Sequence, residues 1–242
     1  MNTRNFNIGI LGYGEIGKAV AKFYPSTGSG RAKIKDLKRN DGLEHLDVLH
    51  VCIPWSDKFV DIVKKEIKES GAKLTIIHST VMPGTTKKLG GMVVHSPVRG
   101  VHPNLHKGIK IFVKYIGADN KKAGQLAKKH LETLGITTKL VYPSKTTEAL
   151  KLWDTTQYGL FIVLNKEIKK WCDENRVDFS IVYEHANKTY DQGYTKLGRH
   201  EVVRPYLKYM PGKIGGHCVI PNAQLLKSEV AKLIIKKNSQ YK

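Results

Sequence analysis

Apolar residues fall into short runs separated by longer stretches with a helical rhythm. The runs are Phe6-Asn-Ile-Gly-Ile-Leu11, Arg31-Ala-Lys-Ile-Lys-Asp36, Asp47-Val-Leu-His-Val-Cys-Ile-Pro54, Lys73-Leu-Thr-Ile-Ile-His-Ser-Thr80, Met92-Val-Val-His95 and Lys110-Ile-Phe-Val-Lys-Tyr-Ile116. Short apolar runs bounded by turn residues read as buried strands. Residues 18–23, 59–70 and 120–134 lie between them and read as lysine-bearing helices. Strands alternating with amphipathic helices predict an α/β fold, a Rossmann-type doubly wound parallel sheet covered on both faces, over residues 1–143. From residue 144 the period changes. Ala149, Leu152, Trp153, Thr156, Leu160, Val163, Leu164, Ile168 and Trp171 recur at helical spacing, which predicts a long spine helix over about 146–175. Helices over 178–190 and 222–236 follow, separated by a loop at 204–218 that is rich in helix breakers. Residues 144–242 therefore read as a smaller all-α domain.

The strand ends carry the first chemistry. The first strand runs into Gly12-Tyr13-Gly14-Glu15-Ile16-Gly17 and then into a helix. This is G-x-G-x-x-G in its strand–turn–helix setting. Gly12 permits the tight turn, Gly14 lets the backbone approach a pyrophosphate, and Gly17 lets the helix pack on the strand. The helix N-terminus favours the anion. Asp36 ends the second strand, 24 positions beyond Gly12, near the roughly 20-residue spacing of an acid that binds the adenosine ribose. A carboxylate there repels a 2′-phosphate and selects NAD over NADP; Lys38 and Arg39 are cations that could bind such a phosphate. Ligands of open α/β sheets bind beyond the carboxyl ends of strands, where Pro54, Ser79 and Thr80 stand. Cys52, inside a strand, reads as core.

In the second domain Glu148, Lys151 and Thr155 share one face of the spine helix; a surface Glu–Lys pair is the alternative. Cys172 reads as core. Gly215-Gly216-His217-Cys218 puts a cysteine on an open turn among cations, surroundings that favour a thiolate nucleophile; a structural cysteine is the alternative.

Composition changes this picture little. The chain has 242 residues, 40% of them hydrophobic, enough for a real core. The three cysteines are too widely spaced for a disulfide framework or a metal site, which suits a reducing cytoplasm. No apolar run is long enough to span a membrane, and no signal peptide is visible at Met1. The net charge of +20 favours anionic partners, nucleotides and sugar nucleotides among them, with nucleic acid as the less favoured option. The lysines are scattered on helix surfaces, without a basic tail.

In order along the chain, Gly12-Tyr-Gly14-Glu-Ile-Gly17, Ser79-Thr80-Val-Met-Pro-Gly-Thr85, Glu148-Ala-Leu-Lys151-Leu, and Pro211-Gly212 through Gly215-Gly216-His217-Cys218 resemble the UDP-glucose/GDP-mannose dehydrogenase family, most of all its UDP-N-acetylhexosamine 6-dehydrogenase branch. The Gly-Gly-His-Cys loop is the most specific piece. The resemblance implies NAD-dependent oxidation of a sugar-nucleotide alcohol by a homodimer built on the spine helix. It implies Cys218 as nucleophile, Lys151 holding the reacting oxygen, and Thr80 near the nicotinamide and the water. Departures are equally specific. Pro97-Val98 stands where the family has Pro-Glu, Thr155 where it has asparagine, Asn222 where it has aspartate and Lys213 where it has glycine. The sequence stops at Lys242, so the family's C-terminal nucleotide-sugar-binding domain is expected to be absent. Three readings stay open: a dehydrogenase for another alcohol, one completed by a partner chain, or a silent NAD-binding relative. The two-domain outline also resembles the β-hydroxyacid dehydrogenases, in which a spine-helix lysine serves as acid/base.

Overall fold

The computed structural model describes residues 6–28, 30–100 and 103–242. Apart from Phe6, the N-terminal stretch bearing on a signal peptide lies outside them. The chain divides into two compact units, Met1–Lys151 and Leu152–Lys242.

Unit 1 is built on one sheet. Its strands are β1 (Ile8–Leu11), β2 (Lys33–Asp36), β3 (Arg39–Asn40), β4 (Val48–Val51), β5 (Leu74–Ile77), β6 (Val93–His95), β7 (Lys114–Ala118) and β8 (Thr138–Val141), in the order β3-β2-β1-β4-β5-β6-β7-β8. Its helices are α1 (Glu15–Ala21), α2 (Phe59–Ser70), α3 (Thr85–Leu89), α4 (Leu105–Ile111) and α5 (Lys121–Thr133). β2, β1, β4, β5 and β6, neighbours in that order, are mutually parallel. The strand order reverses beside β1, which makes the carboxyl ends of β1 and β4 the natural ligand crevice.

Successive strand residues point to opposite faces, and both faces are buried. Ile10, Val48, Ile76 and Val94 join α1, α4 and α5 in one core. Leu11, Leu49, Ile77 and Val93 join Phe59 and Val63 of α2 in the other. Each such side chain contributes roughly 1.5–3 kcal/mol.

The sheet departs from the expected all-parallel pattern at both edges. β3 folds back on β2 in a hairpin, and β7 runs antiparallel to β6. The apolar run at 110–116, read as one strand, is divided: α4 ends at Ile111 and β7 begins at Lys114. Helix and strand periods cannot be told apart over so few residues. Ile109 fixes the outcome by burying on the helix, while Ile111 stays 76% exposed. β8, an edge strand with no fully buried residue, gives no apolar signal and was not anticipated.

α6 (Lys145–Asn175) is continuous and passes from unit 1 into unit 2. In unit 2 it is followed by a π-helical turn at Ser180–His185, α7 (Ala186–Lys196), a 3-10 turn at His200–Val202, α8 (Val219–Leu226) and α9 (Glu229–Gln240). The predicted last helix is thus two, parted at Lys227, which is left-handed (φ 54°), and at Ser228, which caps α9 by accepting from the Ala231 N–H. Val163, Ile214, Val219 and Ile234 form the small core here. Gly159 of α6 lets α8 come close: a Cβ there would lie 2.6 Å from Val219.

Candidate active site

The candidate residues form two groups, one in each unit. In unit 1 the Gly12–Gly17 loop leaves β1 at the crevice. Gly12 has φ +93°, and a Cβ there would press to 2.8 Å against the Cys52–Ile53 backbone. A Cβ on Gly17 would lie 2.0 Å from the Gly12 carbonyl oxygen. Around Gly14 nothing lies within 4 Å of where a Cβ would be. Two glycines are thus required by packing, and the third leaves open space beside the N-terminus of α1, where the helix has no side-chain cap. Glu15 and Ile16 begin that helix; Ile16 packs toward the core. The residues present fit a dinucleotide's pyrophosphate.

Asp36 closes this loop from the side. One carboxylate oxygen accepts the Tyr13 N–H and the other the Leu37 N–H at 2.7 Å. Across the crevice the Ser79 hydroxyl donates to the Ile53 carbonyl at 2.6 Å, which ties the end of β5 to the residue before Pro54. Pro54 is exposed and Thr80 half-buried.

α6 is anchored at its start. The fully buried Glu148 carboxylate accepts from the N–H groups of Gly84 and Thr86 and from the Thr86 hydroxyl, capping α3. Its oxygens are thereby engaged, and the side chain is buried inside unit 1, not set in a surface Glu–Lys pair. Thr147 donates to His95 Nδ1 at 2.8 Å, and His95 Nε2–H donates to the Ser79 carbonyl at 3.0 Å. Lys151, half-buried, follows one turn later. Burial above all, with the charges of Lys114 and Lys151, pushes the His95 imidazole down to about 3.

A buried polar array behind the strand ends was missed from the sequence. The Ser96 carbonyl can only accept, so His78 Nδ1 donates to it at 3.1 Å. Neutral His78 then accepts at Nε2 from His50 Nδ1–H at 2.8 Å. His50 accepts at Nε2 from the Tyr24 hydroxyl at 2.6 Å, and Tyr24 accepts from His130 Nε2–H at 2.8 Å. One acceptor fixes every tautomer in the row. Burial depresses the pKa of His50, His78 and His130, the last to about 4. Lys114, buried and driven down to about 7 chiefly by desolvation, donates to the Ser96 and Pro97 carbonyls at 2.8 and 3.1 Å. The one available signal was histidine at 50, 78 and 95 within otherwise apolar strands.

In unit 2, Cys218 is partly exposed and is the N-cap residue of α8. Asn222 lies one turn on, its N–H bonded to the Cys218 carbonyl at 3.0 Å. The Asn222 amide donates to the Thr155 hydroxyl at 2.9 Å, so these two departures from the family pattern touch each other. Val98, the third, is buried in the unit 1 core. The loop before Cys218 is held by side chains. Asn165 donates to the Leu207 carbonyl at 2.9 Å, Lys166 to the Met210 and Gly212 carbonyls, and Asn238 accepts the Ile214 N–H at 2.6 Å. A cavity of about 360 Å³ beside this loop is lined by Tyr158, Asn165, Lys166, Lys208 and Lys213 with apolar neighbours and no acid. Cys52 and Cys172 are buried, and burial pushes the Cys52 thiol up to about 12.

No protein-family model matches the chain. The UDP-N-acetyl-D-mannosamine dehydrogenase of Methanocaldococcus jannaschii is 29% identical over 225 residues, 82% of this chain and 49% of the relative. The enzyme of the same name from Methanococcus maripaludis is 28% identical over 76% of this chain and 40% of the relative. The chain is thus similar, over three quarters or more of its length, to UDP-N-acetyl-D-mannosamine dehydrogenases. It spans about half the length of the curated relatives it matches. Among solved structures, UDP-D-ManNAc dehydrogenase from Pyrococcus horikoshii superposes with TM-score 0.77 at 20% identity, over 97% of this chain and 68% of that one. The 3-hydroxyisobutyrate dehydrogenase of Mycobacterium tuberculosis does so with TM-score 0.69 at 13% identity, over 97% and 93%. At these identities the likeness is one of fold. Among the described residues no helix is long and apolar enough to cross a membrane.

Proposed function

We propose that this chain is a member of the UDP-glucose/GDP-mannose dehydrogenase family, an NAD-dependent dehydrogenase of the cytoplasm that oxidises an alcohol on an anionic, nucleotide-sugar-like substrate. The observation that carries the reading is the open space at Gly14 between two packing glycines, with Asp36 beside it. Gly12, Tyr13, Gly14, Glu15, Ile16 and Gly17 would hold the pyrophosphate, Asp36 the adenosine ribose, and Pro54, Ser79 and Thr80 the nicotinamide end. When bound, the cofactor accepts a hydride. Lys151 holds the substrate oxygen as its charge changes. Cys218 Sγ adds to the aldehyde carbon and forms a thiohemiacetal; its N-cap position and the glycines before it present the sulfur openly. The lysine-lined, acid-free cavity beside the loop supports an anionic substrate.

Val98 and the Asn222 amide cannot accept a proton from water, so hydrolysis of a thioester formed in a second oxidation is slow. NADH release then shows a burst before a weak steady state. A second copy of the chain is the natural cover for α6, where Trp153, Leu164 and Trp171 are exposed; light scattering should report a dimer at micromolar concentration. The main test is NAD reduction screened against nucleotide sugars and simple hydroxyacids, in wild type and Cys218→Ser. A burst of about two NADH per site with a nucleotide sugar, cut to at most the one NADH of the first oxidation in Cys218→Ser, is expected. Hydroxyacid turnover untouched by Cys218→Ser would replace this reading with a β-hydroxyacid mechanism in which Lys151 is acid/base.

A further inference from the structure

The hairpin after Asp36 holds a second carboxylate that the reading above does not use. In the β2–β3 register Asp36 stands opposite Arg39. The next acid, Asp41, takes the Arg39 guanidinium with both oxygens, Nε to Oδ1 at 3.0 Å and Nη2 to Oδ2 at 2.7 Å. Asp41 is itself held by the sheet. Its Oδ2 accepts the Ile34 N–H at 3.1 Å, its own N–H bonds the Ile34 carbonyl at 2.9 Å, and Arg31 stands 3.6 Å away. The hydrogen bond from Arg39 lowers the Asp41 pKa, so the pair stays ionised at neutral pH. The same guanidinium lies 5.6 Å from the centre of the Tyr13 ring, and the Tyr13 N–H is bound by Asp36. Asp36, Tyr13 and Arg39 therefore make up one wall of the glycine loop, where an adenosine ribose is read.

An acid at this wall accepts from a ribose 2′-hydroxyl, whereas an arginine there accommodates a 2′-phosphate. Arg39 is the better placed of the two cations for a bidentate phosphate contact, because its fork matches two phosphate oxygens and a lysine offers only a point charge. We propose that Asp41 sets the cofactor preference of this chain: by engaging the Arg39 fork it withholds the guanidinium from a 2′-phosphate and leaves Asp36 to read the ribose. Asp41 need not touch the cofactor; it is a specificity-determining residue that acts through Arg39. The proposal rests on the dinucleotide site described under Proposed function.

The test is calorimetric titration of the whole chain with NADH and with NADPH, with a thermal melt of each variant as a check on folding. Wild type should bind NADH more tightly. Asp41→Asn should raise NADPH affinity about tenfold or more, the value of a freed charged hydrogen bond, with NADH affinity changed less than about threefold, and Arg39→Met added to it should cancel the gain. Arg39→Met alone should leave NADPH affinity within about twofold of wild type, because the fork is already engaged; this variant decides the matter if Asp41→Asn does not fold. An unchanged NADPH to NADH ratio in folded Asp41→Asn, a gain that survives Arg39→Met, or a large loss of NADPH affinity in Arg39→Met alone overturns the inference and leaves the site standing. A wild-type chain that binds neither nucleotide overturns the site itself.

Discussion

Around Gly12–Gly17 the candidate cofactor cradle is made of main chain that the sheet holds in place, and what it needs from side chains is their absence. Cys218, the candidate nucleophile, follows a loop in a unit with no strand among its described residues, and side chains hold that loop: Asn165 and Lys166 from α6 and Asn238 from α9. Buried imidazoles are divided the same way. Unit 1 buries His50, His78, His95 and His130, while His185, His200 and His217 of unit 2 are exposed. One site is thus fixed by topology and backbone sterics, and the other by particular polar contacts. The first should fail through added atoms or protons, the second through lost donors.

The largest expected difference is in acid. His95 and His130 are held near 3 and 4 in the folded chain against about 6.5 unfolded. Below about pH 6.5 the unfolded chain binds protons that the folded chain refuses, so stability falls as pH falls. Each of the two should remove on the order of 3 kcal/mol between pH 6.5 and 4, and His50 and His78 act in the same direction. Lys114, near 7 folded and about 10.4 unfolded, makes stability rise further from neutral pH into the alkaline range. Asp41 and Asp47, whose pKa values are lowered, lose their contribution only below about pH 4. Urea midpoints measured against pH should show unit 1 weakening from about pH 6.5 downward; a flat profile to pH 4 contradicts the neutral histidine array.

Next in size is Gly17→Ala, whose methyl would meet the Gly12 carbonyl at a cost of about 3 kcal/mol. Gly14→Ala should keep wild-type stability, since the space there is open, and lose dinucleotide affinity. Equal melting of the two variants would remove the distinction between packing and cradle glycines. A smaller loss, about 2 kcal/mol, is expected for Lys166→Met, which frees the Met210 and Gly212 carbonyls. Cys218 should then be alkylated faster while NADH binding by unit 1 is unchanged; a parallel fall in NADH affinity would break the division between the units. The smallest effect is Thr155→Val, which removes one buried contact to Asn222 at about 1 kcal/mol, read from the denaturation midpoint.

The same division explains what the sequence revealed. The glycine loop, Asp36 and α2 over 59–70 were legible because turn chemistry and helical period are local. The neutral histidine row was not, since its members stand in separate elements and meet only once the sheet has formed. The grip of Lys166 on Met210 and Gly212 likewise joins distant parts of the chain. Period placed Glu148 on the Lys151 face correctly, yet it could not show the carboxylate turning back to cap α3. The edge elements β3 and β8 escaped because they bury little.

The first turn of α6 bears on how separable the two parts of this chain are. Ser144 binds Asp119, Thr147 lies so close to Gly117 that a Cβ there would meet it at 2.2 Å, and Glu148 caps α3. A fragment cut where the sheet ends, at residue 143, would therefore lose its own seals and expose the Gly84 and Thr86 amides, and the smallest self-sufficient nucleotide-binding piece must run on to about residue 151. Recombination that exchanged the helical part for another would have to retain this octet as a fixed splice, so the natural joint of the molecule lies inside a helix and not in a linker.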